Sequence, residues 1–266
     1  MTDRTDPAAQ GPASGLRHLA RTALYLGWVR VQRRYVGSSL GALWSLANPI
    51  ATTLILFLVF AHFMRVPIAN YGLYLVAGII PWTFLATTLN TVTQSLTSRR
   101  DVLQSSLVPP IVFVIADVAA ELIMFALAYL ALLLLAALVF GAPAAVACAL
   151  PIVLAPLVVF TGAVAVAVAF LSVYFRDLPH LLQVFLAMMF WLVPVVYSVD
   201  MVPEPFRFIV NYNPFALMIL PSILVVHGGI LPSAKLFATS VGMAGLACLA
   251  AWWLHARLRR DLVYHL

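Results

Sequence analysis

Long apolar stretches that contain no charged residue alternate with short polar segments along this 266-residue chain. A helix that crosses a membrane needs about 20 consecutive, mostly apolar residues, and several of the uncharged stretches reach that length. The stretch 122–175 is long enough for two such helices and is interrupted by Gly141, Pro143, Pro151 and Pro156, so it predicts a pair of helices that folds back on itself. The whole pattern predicts six membrane-spanning helices, near residues 40–63, 72–96, 110–139, 146–174, 179–198 and 234–256.

The stretch around 203–228 is also apolar, but prolines, asparagines and glycines interrupt it, so it predicts either a seventh span or a re-entrant pair of short helices. Arginine and lysine favour the cytoplasmic side of a membrane protein. Six spans place twelve of the 15 basic residues on the side that holds both termini, and leave Arg65, Arg207 and Lys235 on the other side. A seventh span would move the arginine-rich C-terminal tail outside. We therefore expect both termini in the cytoplasm, with 203–228 entering the outer leaflet and returning.

The N-terminal part of the chain has a different pattern. Residues 1–15 are polar and predict a flexible cytoplasmic tail. On a helix over residues 16–34, leucines such as Leu19 lie on one side and basic residues such as Arg21 lie on the other, which predicts an amphipathic helix in the membrane interface. A generic basic anchor on anionic lipid would explain the same pattern. Residues 35–266 then form the expected transmembrane domain.

The composition agrees with a membrane protein, since 64% of the residues are hydrophobic, only 9% are charged and the mean hydropathy is +1.04. Soluble proteins carry roughly 25% charged residues, so this chain lacks the polar surface to cover itself in water. That excludes a soluble enzyme, a nucleic-acid-binding domain and a disordered chain. The predicted fold class is an all-α integral membrane protein.

Residues that carry out catalysis are sparse in this sequence. A nucleotide-binding P-loop requires Gly-Lys-Ser/Thr, and the single lysine, Lys235, has no such neighbours. The six histidines are scattered without the spacing of metal ligands, and Cys148 and Cys248 lie in apolar runs. We therefore expect no catalytic residue, no metal and no cofactor on this chain, and no enzymatic activity of its own.

Asp117 and Glu121 lie four residues apart on one face of the third predicted span. Charges inside a membrane are costly and often functional, so these carboxylates are candidates for a polar pathway or for partners of an arginine. Two structural interpretations stay open beside these. The pair can lie close enough to the cytoplasmic interface to be wetted, or Glu121 can simply pair with another helix.

Several segments resemble one family of transporters. The segment 34–49, which reads RYxxSxLGxLWxxxxP, is similar to the start of the first span in ABC-2 type permeases that export polysaccharides, such as the O-antigen (lipopolysaccharide), capsule and teichoic acid exporters. The segment 174–180 resembles their turn between spans four and five. The segments 194–197 and 213–214 resemble the end of span five and the broken segment after it. The resemblance covers essentially the whole chain.

This resemblance implies a larger machine. Such permeases work as homodimers of six-span subunits with two separate cytoplasmic ABC ATPase subunits, which hold ATP and Mg. The loop around 98–109 would form a coupling helix docked on the ATPase, and 203–228 would gate the exit. The implied ATPase contacts are Arg99, Arg100 and Asp101 with Arg30, Arg33 and Arg34, and the implied exit gate comprises Pro203, Asn213 and Pro214.

The implied substrate is an undecaprenyl-linked glycan that crosses the bacterial plasma (inner) membrane. Aromatic residues at span ends usually form interfacial belts, but some can stack on the apolar face of a sugar ring. Two other functions stay open, namely an ABC-2 permease that exports drugs or lipids and a membrane scaffold without transport activity. The candidates for the substrate pathway are Tyr35, Trp44, Trp191 and Tyr197, together with Asp117 and Glu121.

Overall fold

The computed structural model describes residues 12–35, 44–105, 108–140 and 144–258. Most of the predicted N-terminal tail and the C-terminal residues 259–266 lie outside these ranges, and so does half of the motif at 34–49, namely residues 36–43. The described residues form helices and connecting turns and contain no strand.

Ten α-helices follow one another along the described chain. A π-helical turn, Leu58–Phe63, extends α2, and short 3₁₀ turns precede α4 and α8. The helices are α1 (Pro12–Tyr35), α2 (Trp44–Phe57), α3 (Tyr71–Val92), α4 (Arg100–Ser105), α5 (Pro110–Phe140), α6 (Ala144–Tyr174), α7 (Leu178–Leu192), α8 (Arg207–Asn211), α9 (Pro214–Val226) and α10 (Ala234–Leu258).

Four of these helices are long and apolar enough to cross a membrane, within α3, α5, α6 and α10. The bent pair Glu204–Asn211 and Pro214–Val226 counts as a fifth span if it is taken as one broken helix. Two shorter apolar helices, Pro49–Phe63 and Leu178–Leu192, coincide with the first and fifth predicted spans. Over the described residues the chain is therefore an all-helical, multi-pass membrane protein with four or five candidate spans, and the number six stays a prediction.

Prolines within the apolar runs bend or interrupt helices only in some places. The predicted interruption at residues 141–143 separates α5 from α6 and lies outside the described residues. Pro151 and Pro156 lie inside the predicted span 146–174, and α6 continues through both of them. A proline in a transmembrane helix is tolerated where neighbouring helices satisfy the freed backbone groups, and α6 packs against α3, α5, α9 and α10.

Helix α3 is the centre of the bundle. It is the most buried of the candidate spans and packs against α2, α5, α6, α7 and α9. Helix α10 is the opposite case. Most of its apolar length is exposed, and its main packing partners are α6 and α9. In a membrane protein, an apolar face of this kind is covered by lipid.

Two tyrosines of α3 anchor the non-helical segment that follows α7. The hydroxyl of Tyr71 donates a hydrogen bond to the carbonyl oxygen of Val196 at 2.7 Å. The hydroxyl of Tyr74 lies 2.8 Å from the carbonyl oxygen of Pro194 and 2.6 Å from that of Tyr197. These hydrogen bonds satisfy backbone carbonyl groups of the non-helical segment, which in a membrane protein must find partners within the protein.

The segment after α7 contains two short helices that are separated by a sharp bend. Helices α8 and α9 meet at an angle of 93°. The side chain of Asn213 accepts a hydrogen bond from the backbone N–H of Phe215 at 2.9 Å, and Pro214 occupies the first turn of α9. This is the chemistry that starts a helix, since an N-cap side chain satisfies a free N–H and proline lacks one.

Helix α1 packs along the first half of α5 through small residues. Ala23, Gly27 and Val31 are buried at a spacing of four residues, and a Cβ built at Gly27 would lie 2.9 Å from the carbonyl oxygen of Ala116. The apolar side chains of Leu24 and Trp28 point away from this contact and are 59% and 50% exposed. The helix predicted over 16–34 is thus present, and its packing face is the stripe of small residues.

Candidate functional site

Two buried carboxylates on α5 define the first candidate site. Asp117 is fully buried and Glu121 is nearly so, one helical turn further along. The guanidinium of Arg99 donates to both oxygens of Asp117, with Nη2–Oδ1 at 2.9 Å and Nη1–Oδ2 at 3.1 Å. Nη1 of Arg30 contacts the same carboxylate. A paired, bidentate contact of this kind is among the stronger ionic interactions in proteins.

Glu121 has partners of its own. Nη2 of Arg34 donates to its Oε1 at 2.6 Å, and Oγ1 of Thr91 donates to the same oxygen at 3.2 Å. The five ionised residues Arg30, Arg34, Arg99, Asp117 and Glu121 therefore form one cluster, which we call the arginine–carboxylate cluster. It joins α1, the turn before α4 and α5.

The cluster carries three cations and two anions. Burial lowers the pKa of Arg30, and the neighbouring Arg99 and Arg34 add to that effect, so that its pKa falls to about 10. Burial also lowers the pKa of Arg99. Arg30 therefore remains a cation at neutral pH. Nη1 of Arg99 also donates to the backbone oxygen of Ser95 at 2.7 Å, which fixes its direction.

The structure gives each predicted charged residue a definite place. Asp117 and Glu121, predicted on the substrate pathway, have arginine partners, which is one of the arrangements that the sequence left open. Arg30, Arg34 and Arg99, predicted as ATPase contacts, make these intramolecular pairs. Their assignments to the pathway and to the ATPase contact stay predictions.

Helix α4 lies at the loop where the resemblance placed a coupling helix. Leu103 is buried and anchors it to the bundle. Arg100 and Asp101 are exposed, and the apolar side chain of Val102 is 47% exposed. Arg33 of α1 is exposed as well.

A second candidate site is a cavity of about 450 Å³ between α2, α3 and α7, which we call the groove. Its lining combines aromatic rings with hydroxyl and amide side chains. The lining positions on α3 extend from Ile79 to Asn90, about 17 Å along the helix axis. The lining residues are Thr52, Ile79, Trp82, Thr83, Ala86, Thr87, Asn90, Gln183, Leu186, Ala187, Phe190 and Trp191.

The predicted aromatic residues differ in their relation to the groove. Trp191 lines it and is 54% exposed. Tyr197 lies behind it, where its hydroxyl donates to the carbonyl oxygen of Trp191 at 3.1 Å. Tyr35 and Trp44 end α1 and begin α2, and their side chains lie outside the described residues. The structure therefore brings Trp191 and Tyr197 together.

The predicted exit-gate residues flank the bent segment. Pro203 precedes the 3₁₀ turn Glu204–Phe206, while Asn213 is buried and caps α9 ahead of Pro214. All three shape the backbone at the two ends of α8, and their role as a gate stays a prediction.

Sequence reasoning missed the polar lining of the groove. Thr83, Thr87 and Asn90 lie at helical spacing on α3 and all face the groove. A row of polar residues at positions i, i+4 and i+7 within an otherwise apolar span is the signal that would have found it. Asn90 and Thr91 are neighbours in sequence but serve different sites, since Thr91 bonds to Glu121.

The fold and these two sites define a multi-pass α-helical membrane protein with a polar groove among its helices. The chain belongs to the ABC-2 type transporter family, whose family model matches residues 22–221. Members of this family are membrane subunits of transporters, and the predicted resemblance to ABC-2 permeases is confirmed.

Two relatives are similar over most of their length. An O-antigen export system permease protein RfbA of Klebsiella pneumoniae is 32% identical over 189 residues, which cover 70% of this chain and 73% of that protein. A protein of the same name from Myxococcus xanthus is 30% identical over 175 residues, which cover 65% of this chain and 67% of that protein.

Proposed function

We propose that this chain is the transmembrane subunit of an ATP-driven exporter that moves lipid-linked polysaccharide across the bacterial plasma membrane. The observation that carries the proposal is its similarity to permeases named for O-antigen export, over about two thirds or more of both chains. An undecaprenyl-linked glycan is the substrate class that fits best.

The chemistry of the groove supports a sugar substrate. A pyranose presents an apolar C–H face and a rim of hydroxyl groups, so it is matched by aromatic rings next to hydrogen-bonding side chains. Trp82 and Trp191 supply rings on opposite helices, with Phe190 between them at ring-centroid distances of 5.6 and 5.3 Å. Thr87 and Gln183 supply polar groups in the same cavity. The proposal places Tyr35, Trp44, Trp191 and Tyr197 on the pathway, as the sequence predicts.

The proposal uses six spans with both termini in the cytoplasm. The 15 residues of α7 extend about 22 Å, less than the roughly 30 Å apolar core of a bilayer. The chain continues beyond it through Val193 to Tyr197, where the tyrosines of α3 satisfy the backbone. The bent pair α8–α9 then enters the outer leaflet and returns, which keeps the arginines of the N- and C-terminal segments on the cytoplasmic side.

Energy enters through partner subunits in this proposal. The permease forms a homodimer with two cytoplasmic ABC ATPase subunits, which bind ATP and Mg. Helix α4 docks on the ATPase through Asp101 and Val102, both of which are exposed. The arginine–carboxylate cluster connects the turn before α4 to α1 and α5, so movement of α4 reaches the spans through ionic contacts.

Reconstitution tests this function. The permease and the ATPase subunit from the same bacterium, in proteoliposomes that carry lipid-linked glycan on the outer leaflet, should protect the glycan from added glycosidase in an ATP-dependent manner. A lipid-linked glycan that stays fully digestible while a drug or a lipid is moved would establish the alternative exporter. Absence of any ATP-dependent movement would favour a scaffold.

A further inference from the structure

A second polar cleft lies at the end of the groove. It has a volume of about 340 Å³, within the range of roughly 300–1,000 Å³ that ligand pockets occupy. It is formed by the end of α3, the start of α4, the end of α6 and the turn into α7. Its lining residues are Thr93, Gln94, Thr97, Arg100, Ser172, Val173, Arg176 and Pro179.

Both charged side chains that line this cleft are arginines. Arg100 and Arg176 are both exposed, and no carboxylate is among the lining residues in the part of the chain that the structure describes. Arg99 lies next to Arg100 in sequence but turns to the buried Asp117, so the two arginines divide between the two sites. Two guanidinium groups line one cavity, and arginine is the side chain that binds phosphate oxygens in a bidentate manner.

The neighbouring groups favour an anion as well. Pro179 lies in the first turn of α7, where the helix dipole contributes positive potential. Gln94 and Thr97 are exposed and supply amide and hydroxyl donors. The cleft thus combines two charged and two neutral donor side chains with a helix start.

Its position relates it to the groove. Asn90 lines the groove and Thr93 lines the cleft, about 4.5 Å apart along α3. On α7, Gln183 lines the groove and Pro179 lines the cleft, one helical turn apart. The cleft therefore continues the groove along both helices, at the end where α4 and the α6–α7 turn lie.

We infer that this cleft binds the diphosphate of a lipid-linked substrate, with Arg100 and Arg176 as its ligands, while the attached sugars lie in the groove. The inference rests on the proposed function for the identity of the substrate. The group that the cleft recognises is a diphosphate. Free pyrophosphate shares this group without the lipid, and an anionic membrane lipid resembles it only in part.

Binding of undecaprenyl diphosphate to the full chain tests the inference. The chain is placed in nanodiscs of neutral phosphatidylcholine, and binding is measured for the wild type, Arg100→Gln and Arg176→Gln. Each variant should bind at least about tenfold more weakly, because each removes a charge-assisted contact. Arg176→Lys should recover only part of the affinity, since lysine retains the charge but not the planar fork.

Arg21→Gln is the matched control, because Arg21 is an exposed arginine of α1 outside both sites. It should bind the lipid diphosphate like the wild type. Equal affinity in all variants would overturn the inference. Equal loss in Arg21→Gln would show general charge attraction and overturn it too.

Competition distinguishes the sources of the anion. Inorganic pyrophosphate should displace the lipid diphosphate, and phosphatidylglycerol at the same concentration should not. Displacement by phosphatidylglycerol would make the cleft a general lipid site and overturn the assignment. Loss of ATPase co-purification with unchanged lipid binding in Arg100→Gln would make it a protein contact instead. If the wild type fails to export glycan but the Gln variants lose diphosphate binding, the assignment of the cleft as a diphosphate site is supported and the proposed export function is wrong.

Discussion

Arg99 donates hydrogen bonds from both terminal nitrogens of its guanidinium to the two carboxylate oxygens of Asp117, at 2.9 and 3.1 Å. Asp117 lies on a part of α5 that solvent does not reach. Arg30 contacts the same carboxylate from α1. A single acidic side chain thus fixes two elements of the chain to α5.

Asp117→Asn should destabilise the protein strongly. It removes the negative charge that two partly buried arginines share, and removal of one partner of a buried ion pair costs about 3–5 kcal/mol. We expect a lower thermal unfolding temperature for the detergent-purified variant. Asp101→Asn makes the same change at an exposed position and should leave it unchanged. If both variants unfold at the same temperature as the wild type, the cluster does not stabilise the fold.

Gly27→Ala should loosen the contact between α1 and α5. The new methyl group would meet the carbonyl oxygen of Ala116 at 2.9 Å and the Cβ of Ala119 at 3.1 Å, so one helix must shift. We expect a loss of about 1–3 kcal/mol. Gly245→Ala is the control, since a Cβ there meets nothing within 4 Å and alanine favours a helix. Both effects are measured by thermal unfolding, and stability equal to that of the control would contradict the close packing.

Cysteine labelling tests the topology. In a background without Cys148 and Cys248, an impermeant thiol reagent added to intact cells should label Met201→Cys and Leu231→Cys, which are exposed on either side of the bent segment. Ser105→Cys and His180→Cys, also exposed, should be labelled only after lysis. Labelling of Met201→Cys without Leu231→Cys would mean that α8–α9 crosses the membrane.

Val102→Glu should weaken the complex with the ATPase subunit. It puts a charge on the exposed apolar side chain of α4, and truncation of a central contact typically costs about 2 kcal/mol or more. We expect at least about tenfold less ATPase subunit in pull-down from membranes, with normal amounts of permease. Leu231→Glu makes the same change at another exposed apolar residue and serves as the control. Full recovery of the complex with Val102→Glu would place the contact elsewhere.

Trp191→Ala should reduce glycan export and leave assembly intact. It removes an aromatic ring from the groove, and a stacking contact of roughly 1 kcal/mol corresponds to about a fivefold change. The measurement is the rate of glycan protection in proteoliposomes. Trp252→Ala, on the exposed face of α10, is the control. Equal rates for the two variants would assign Trp191 to the interfacial belt.

The positions of the helices could be read from the sequence because long uncharged apolar stretches form helices in a membrane protein. The break at Asn213 and Pro214 could be read as well, since these residues start a helix wherever they lie. The packing partners could not. The sequence places Ala23 on the same apolar side as Leu24 and Trp28, but it does not tell that Ala23 and Gly27, and not the larger residues, contact α5. Small residues form the contact where another helix, and not lipid, is the neighbour.

The candidate site shows the same limit. The spacing of Asp117 and Glu121 predicts a shared face, but it does not tell which of fifteen basic residues reaches that face. That depends on how α1 and the turn before α4 fold against α5. The two cavities depend on the same long-range arrangement, since each combines residues separated by about 80 positions or more along the chain.

The arginine–carboxylate cluster also sets an order for biogenesis. Arg30, Arg34 and Arg99 all precede Asp117 and Glu121 in the chain, and synthesis proceeds from the N-terminus. The three arginines are therefore already synthesised when the ribosome delivers α5. A fragment that starts after residue 100 would carry both carboxylates of α5 without the arginines that contact them. Synthesis thus makes the cations of the cluster before its anions.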